Sequence, residues 1–291
     1  MKLQYTQRPP NFRINPSHLM AKHIVFAGLG QQPNSGRFTD ASLKKTHGTP
    51  VNFPKWTQAR ELGRWGMVCI ENQSLDVPSK VWQQPLTNPF TFGCWIHFTG
   101  TANTDLFLLK GSNNNTSGGF GYYIDAGGGD GQIACYYRPS GVNRTVRTYS
   151  GDLRNAWTHV AMSVVPGTGL IAYVNGLVEA TVAEVAAGTL NSTAPIKLIA
   201  SASGSDRLIS VVDPLLYIGR VLSSSEIADL ADPSNVMLSV GGDPLLIEDG
   251  PPVGAKTYFT FKNLPYDSIL RADYWHGDDQ CSPIILDVNK R

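Results

Sequence analysis

The chain has 291 residues, of which 42% are hydrophobic and only 16% are charged. This length is enough for one large β domain with extensions or for two small domains. The formal net charge of +1 provides no extended positive surface, which excludes a nucleic-acid-binding protein as the main interpretation. The longest apolar runs, such as residues 170–174, are far too short to cross a membrane.

Four cysteines are widely spaced in apolar surroundings, without a Cys-x-x-Cys pair or a Cys/His cluster. This pattern argues against a structural zinc site and predicts four reduced thiols in the core. The first residues contain no apolar stretch of the kind that a secretory signal peptide needs, so we expect synthesis in the cytoplasm. The cysteines are Cys69, Cys94, Cys135 and Cys281.

The two ends of the chain differ in composition from the middle. Residues 1–20 are polar and contain three prolines, which predicts an extended N-terminal arm. Residues 240–291 begin with a Gly- and Pro-rich stretch, and we interpret them as a C-terminal extension. The intervening residues 21–239 are predicted to form one domain.

A regular strand pattern begins at Phe90. Apolar residues occupy alternate positions from there to Phe98, and a second series on the other face contains Gly93 and Trp95. This period of two predicts a strand that is buried on one face and partly buried on the other. The alternating residues are Phe90, Phe92, Cys94, Ile96 and Phe98.

Turn residues separate the strands that follow. Residues 127–131 read Gly-Gly-Gly-Asp-Gly and lie between two aromatic stretches, 120–126 and 132–139, which predicts a hairpin. Asn175-Gly176 predicts a type I′ turn between two further strands. Strands at a spacing of roughly ten residues, joined by such turns, are typical of an antiparallel sandwich or barrel.

One short helix is indicated near the end of this pattern. Ser223 and Glu226 have the spacing of a capping box, with apolar residues directly after them. Pro233 is expected to end the helix.

Four motifs resemble the laminin G-like domain in its concanavalin A-like lectin/glucanase form. The resemblance implies an all-β, antiparallel jelly-roll sandwich, here with extended N- and C-terminal arms. We expect the large rings of Trp95 and Trp157 to fill space between the two sheets. The motifs are Phe90-Thr91-Phe92-Gly93-Cys94-Trp95, Trp157-Thr158-His159-Val160-Ala161, Tyr173-Val174-Asn175-Gly176 and residues 216–230.

Upstream residues resemble the lead-in of laminin G-like proteins that tailed bacteriophages encode. The matching parts are Arg8-Pro9-Pro10, residues 14–22 and residues 40–49, followed by residues 62–78. The sequence departs from that lead-in after His18, where a proline is missing. The resemblance implies a virion protein, such as a capsid decoration, tail or fibre component.

Catalytic residues of the related glucanases are not recognisable. Those enzymes carry Glu-x-Asp-x-x-Glu on one strand, and none of the glutamates here has that spacing. Glu179 and Glu184 are five apart and would face opposite sides of a regular strand. No Gly-x-Ser-x-Gly elbow is present, and His97 and His159 are predicted to be packed inside strands. We therefore predict a non-enzymatic protein.

Two kinds of binding site are suggested, each with a simpler alternative. Laminin G-like domains often bind Ca²⁺ at the sandwich edge, which makes aspartates in turns candidate ligands, although such residues also simply form turns. Two Tyr-Tyr pairs flank the glycine turn and would stack on sugars if exposed, or pack across the hairpin if buried. The candidates are Asp105, Asp125 and Asp130 for calcium and Tyr122, Tyr123, Tyr136 and Tyr137 for glycans.

Three functional hypotheses follow from these patterns. The first is a structural virion protein, a capsid decoration or cement protein that binds the major capsid protein or other virion proteins as a homo-oligomer. The alternative is a lectin-like tail or fibre protein that recognises host polysaccharide, and the third is a glycan hydrolase. No cofactor other than Ca²⁺ is suggested.

Overall fold

β-branched and aromatic residues dominate the middle of the chain, and strands form where they alternate with small or polar residues. The computed structural model describes residues 12–29, 38–52, 55–59, 64–69, 73–79, 88–98, 106–111, 119–125, 132–138, 145–183, 195–199, 209–233, 239–240, 243–244, 246–248, 269–272, 275–276, 279–280 and 284–287. Within these ranges the dominant element is the β-strand.

The strands and helices have the following bounds in chain order. They are β1 Phe12–Ile14, a 3-10 helix Ala21–His23, β2 Ile24–Leu29, β3 Thr39–Asp40, β4 Thr49–Val51, β5 Lys55–Ala59, β6 Arg64–Cys69, β7 Ser74–Val77, β8 Phe90–Phe98, β9 Leu106–Gly111, β10 Gly119–Asp125, β11 Gln132–Arg138, β12 Thr145–Thr148, β13 Thr158–Val165, β14 Gly169–Val174, β15 Leu177–Val182, β16 Ile196–Ile199, β17 Ile209–Ile218, α1 Ser224–Ala231, β18 Ser239–Val240, β19 Asp243–Pro244, β20 Leu246–Glu248, β21 Ile269–Ala272, β22 Trp275–His276, β23 Asp279–Gln280 and β24 Ile284–Asp287.

Two large sheets pack face to face. One has seven strands in the order β12-β11-β10-β9-β16-β7-β4. The other has nine, in the order β15-β14-β13-β8-β17-β2-β3, with β6 pairing to β17 and β5 pairing to β6. Neighbouring strands in both sheets are antiparallel. The antiparallel sandwich predicted from the sequence is confirmed.

Aromatic and aliphatic side chains from both sheets form the inter-sheet core. The nine-stranded sheet supplies the alternating residues of β8 and β13, and the seven-stranded sheet supplies those of β10 and β11. Cys94 and Cys135 are buried free thiols in this core, and burial raises the pKa of Cys94. Residues of this core include Phe90, Phe92, Phe120, Ile133, Val160, Met162 and Tyr217.

The predicted hairpins and helix form. β10 pairs with β11 in the register Asp125 to Gln132, on either side of the glycine turn. Asn175 and Gly176 both have positive φ, at 48° and 85°, as a type I′ turn requires. A Cβ on Gly176 would lie 3.0 Å from the Cα of Ala228, so the close approach of α1 also requires glycine.

A second core covers the outer face of the nine-stranded sheet. Ile14, Met20 and Ile24 pack there together with Ile227 and Leu230 of α1. Residues 12–20 of the predicted arm are therefore part of the sandwich, because β1 and the turn after it bury apolar side chains. Residues 1–11 lie outside the described ranges.

The two motif tryptophans lie on this outer face, so the prediction that they fill the inter-sheet space was wrong. Cys94 and Ile96 of β8 point into the inter-sheet core, and strand alternation directs Trp95 to the opposite side. The Trp95 ring centre lies 5.6 Å from that of His159, and Trp157 lies 5.2 Å from His97. The phenylalanines already occupy the inter-sheet face.

The chain divides into two compact units, Met1–Ile247 and Glu248–Arg291. The first contains both large sheets and α1. The second contains the pairs β21–β24 and β22–β23. In the described ranges no helix has both the length and the apolar character needed to span a membrane.

Candidate functional site

The side chains of the three predicted calcium ligands lie outside the described part of the structure. Asp105 and Asp130 lie outside the described residues. Asp125 is the last residue of β10, and its side chain is outside the described part of the chain. No group of three or more His, Cys, Asp or Glu side chains that would suit a metal ion occurs among the described residues. The calcium site stays a prediction.

Burial corrects the tyrosine prediction for three of the four residues. Tyr122, Tyr136 and Tyr137 have no exposed surface, so a sugar cannot stack on their rings. The Tyr122 hydroxyl donates to the carbonyl oxygen of Phe92 at 2.6 Å, across the inter-sheet core. Burial raises the pKa of Tyr137 to about 12. Packing was the alternative, and it is what these residues do. The side chain of Tyr123 lies outside the described residues.

The segment between β12 and β13 is a better candidate, and we call Ser150–Trp157 the rim loop. Three apolar residues hold it in place. Tyr149, just before the loop, is fully buried and donates from its hydroxyl to the carbonyl oxygen of Ala161 at 3.1 Å. Leu153 packs against the inter-sheet core, and Trp157 packs against His97. These anchors at every fourth residue leave the intervening side chains to face solvent.

Apart from Ala156, the outward side chains of the rim loop are polar. Asp152 accepts hydrogen bonds from the backbone nitrogen of Arg154 at 2.9 Å and from its guanidinium Nη2 at 2.6 Å. Hydrogen bonds from the Arg154 side chain lower the pKa of Asp152. Asn155 is exposed and has a φ of 59°, a left-handed conformation that asparagine tolerates well. The loop therefore presents a carboxylate, a guanidinium and an amide.

Glu179 of the edge strand β15 connects the rim loop to the nine-stranded sheet. Its Oε1 accepts from the backbone nitrogen of Ser150 at 2.9 Å and also from the Ser150 hydroxyl. These hydrogen bonds lower the pKa of Glu179. Glu179 sits where the β14–β15 register shifts, so it is an extra residue of a bulge. The bulge points its carboxylate at the loop.

A pair of aromatic rings lies at the C-terminal end of the rim loop. Trp157 and His97 are both partly exposed, and their rings are inclined at 48°. Two residues farther along, on the same face of the sheet, lies the buried pair Trp95 and His159. His159 is fixed further, because its backbone nitrogen donates to Oδ1 of Asn175 at 2.9 Å. The Trp157 ring is thus packed against His97 at the end of the rim loop.

A separate groove of about 270 Å³ lies beside β13, β14 and β15. Its walls are almost entirely apolar. A small-molecule site needs a few polar groups that fix the orientation of the ligand, and a sugar needs many of them. The groove is therefore a poorer candidate than the rim loop. Its lining residues include Ser163, Val165, Leu170, Ile171, Val182 and Val221.

Sequence reasoning did not single out the rim loop. Only Trp157 was noted, as part of a strand motif. The available signal was the polar stretch Asp152-Leu153-Arg154-Asn155 directly before that tryptophan. Such a stretch is usual for a surface loop, so it did not distinguish this loop from others.

Comparison with known proteins identifies the family. The profile described as the Concanavalin A-like lectin/glucanases superfamily, in its laminin G-like form, matches residues 71–228, which is more than half of the chain. A search of curated protein sequences found no match.

Solved structures share the fold at low sequence identity. The binding domain of Paraclostridial Mosquitocidal Protein 1 superposes with a TM-score of 0.61 at 17% identity, over 75% of this chain and 54% of that one. The binding domain of botulinum neurotoxin serotype G gives 0.59 at 12% identity, over 72% and 50%. Botulinum neurotoxin type C, whose cell entry depends on interaction with two ganglioside molecules, gives 0.54 at 13% identity, over 73% and 51%.

The chain thus spans about half the length of these structures. Their likeness supports the jelly-roll sandwich, and the profile match assigns the family directly. This protein belongs to the laminin G-like family of the concanavalin A-like lectin/glucanase superfamily.

Proposed function

We propose that the chain is a non-enzymatic carbohydrate-binding protein and that the rim loop, with Trp157, contacts the sugar. The observation that carries the proposal is a partly exposed tryptophan at the end of an anchored loop that also carries a carboxylate, a guanidinium and an amide. The apolar face of a pyranose ring stacks on such a ring, while its hydroxyl groups need donors and acceptors at the ring edge. The rim loop offers both.

Rigidity of the loop supports binding. Tyr149, Leu153 and Trp157 anchor it, and Glu179 holds Ser150. A loop that is already ordered loses little conformational entropy when a ligand binds, so weak individual contacts still contribute to affinity.

The charge state of the loop supports binding rather than hydrolysis. Hydrogen bonds lower the pKa of both Asp152 and Glu179, so both carboxylates are ionised at neutral pH. A glycosidase needs one carboxylic acid with a raised pKa to protonate the leaving group. These two side chains are suited to accepting hydrogen bonds from sugar hydroxyl groups.

The comparisons favour the same proposal. The profile that matches is that of a lectin and glucanase superfamily, and one protein of similar fold interacts with gangliosides. The phage resemblance rests on the upstream lead-in, and the capsid location rests on that lead-in together with the predicted terminal arms and the expected synthesis in the cytoplasm. A lectin-like role needs neither.

Two substitutions test the site after a glycan array has identified a bound sugar. Trp157→Ala removes the stacking surface, and we expect at least about tenfold weaker binding because tryptophan contributes strongly at binding sites. Asn155→Gly removes the amide but keeps a residue that tolerates positive φ, and we expect about three- to tenfold weaker binding. Calorimetric titration measures both.

Asn52→Gly is the matched control, because Asn52 is also exposed and has a φ of 54°. Its affinity should equal that of the unaltered protein, and thermal melting checks that all three variants fold. Absence of any bound glycan on a broad array would refute the proposal. A bound glycan whose affinity neither rim-loop substitution changes would refute the site.

A further inference from the structure

The rim loop and Glu179 of β15 together carry one net negative charge on their described side chains. Asp152 and Glu179 each contribute one negative charge, and Arg154 contributes one positive charge. The side chains of Asp152 and Arg154 are 49% and 22% exposed, so a ligand at the loop would meet the carboxylate more than the guanidinium.

Arg154 is already engaged by Asp152. Its Nε lies 2.9 Å from Oδ1 of Asp152, and its Nη2 lies 2.6 Å from Oδ2. This fork-to-fork arrangement is the one that arginine would otherwise use to bind a carboxylate of a ligand. An anionic sugar would have to displace Asp152 from Arg154, or bind beside the carboxylate of Glu179 without an ion pair to Arg154.

We infer that the rim loop selects neutral glycans over sialylated, uronic or sulfated ones, an inference that rests on the carbohydrate binding proposed above. Like charges brought together at a binding surface disfavour the wrong ligand more than they weaken the right one. Neutral hydroxyl groups donate to Asp152 and Glu179 without such repulsion. The two carboxylates act as acceptors for sugar hydroxyl groups and as a barrier to anionic sugars.

The test is a glycan array in which each neutral oligosaccharide is paired with its sialylated or sulfated derivative. The unaltered chain should bind the neutral member of a pair more strongly. Asp152→Asn removes one carboxylate and releases Arg154, so the ratio of anionic to neutral binding should rise about two- to fivefold. Raising the salt concentration should bring the ratio of anionic to neutral binding closer to one in the unaltered chain, because ions screen exposed charges.

Asp76→Asn is the control. Asp76 also forms a partly exposed ion pair, with Lys197 at 3.5 Å, but it lies on β7 toward the other edge of the seven-stranded sheet. Its substitution should leave the ratio unchanged. Equal or stronger binding of the anionic members, or an unchanged ratio in Asp152→Asn, would overturn the inference while carbohydrate binding stands. Absence of binding to every glycan would instead overturn the proposed function.

Discussion

The buried carboxylate of Asp40 organises the segment between β3 and β4. Oδ1 accepts from the backbone nitrogens of Ala27 at 3.0 Å and Ser42 at 2.8 Å. Oδ2 accepts from the Ser42 hydroxyl at 2.8 Å and from the backbone nitrogen of Thr46 at 2.7 Å. Four donors thus stabilise one fully buried charge, which tethers the loop to β2.

Asp40→Asn should lower the free energy of unfolding by roughly 2–4 kcal/mol. The amide retains one acceptor oxygen, and its nitrogen would face groups that are themselves donors, so hydrogen bonds to a charge are lost without replacement. Urea denaturation at neutral pH measures the difference. Asp76→Asn, a half-exposed carboxylate, should cost less than about 1 kcal/mol. A comparable loss for both variants would show that the buried network has no special role.

The helix α1 illustrates how a local signal and a tertiary contact combine in one element. Ser223 and Glu226 form the predicted capping box, in which the backbone nitrogen of Ser223 donates to Oε2 of Glu226 at 2.9 Å. Arg220 adds a bidentate ion pair with the same carboxylate, at 2.5 and 2.8 Å. The capping box could be predicted from the sequence. The ion pair with Arg220 could not, because it depends on the path of the chain between the end of β17 and the start of α1.

Stability from Glu226 should depend on pH. The hydrogen bonds from Arg220, with those from Ser223, lower the pKa of Glu226 from 4.5 to about 2. A lowered pKa in the folded state means that the stabilisation is complete above about pH 4.5 and is lost as the pH falls toward 2. Glu226→Gln should therefore cost about 1–3 kcal/mol at pH 7 and progressively less below pH 4.5.

Urea denaturation of both proteins between pH 7 and pH 2.5 measures this convergence. Asp229→Asn, on the same helix, controls for the removal of a helix carboxylate. A difference between the unaltered protein and Glu226→Gln that stays constant down to pH 2.5 would contradict the assignment.

At the scale of the whole molecule, local patterns predicted the fold and missed what depends on long-range packing. Alternation in β8 correctly separated two faces, but it gave no means of knowing which face would meet the other sheet. Trp95 was therefore placed on the wrong side. Tyr136 lies on the outer face of its sheet and is nevertheless buried. Alternation assigns a side chain to one face of a sheet, but it does not show whether that face is covered.

The candidate site was less predictable than the fold. Asp152 and Arg154 are ordinary loop residues in the sequence. They become candidate ligand contacts because the loop that carries them is fixed. Tyr149 and Leu153 pack into the inter-sheet core, and Glu179 of β15 accepts a hydrogen bond from Ser150. Glu179, for example, meets Ser150 over a separation of 29 positions. No local pattern encodes such a meeting.

The N-terminal segment provides a test of this view of the molecule. Ile14 and Met20 are 4% and 0% exposed in the second core, whereas Leu19 between them in sequence is 70% exposed. Met20→Ala should lower the free energy of unfolding by about 2–4 kcal/mol, as truncation of a buried side chain leaves a cavity. Leu19→Ala, the adjacent control, should change it by less than about 0.5 kcal/mol. Equilibrium denaturation measures both. If Met20→Ala were as mild as Leu19→Ala, the second core would not hold residues 12–20, and they would be the extended arm that the sequence predicted.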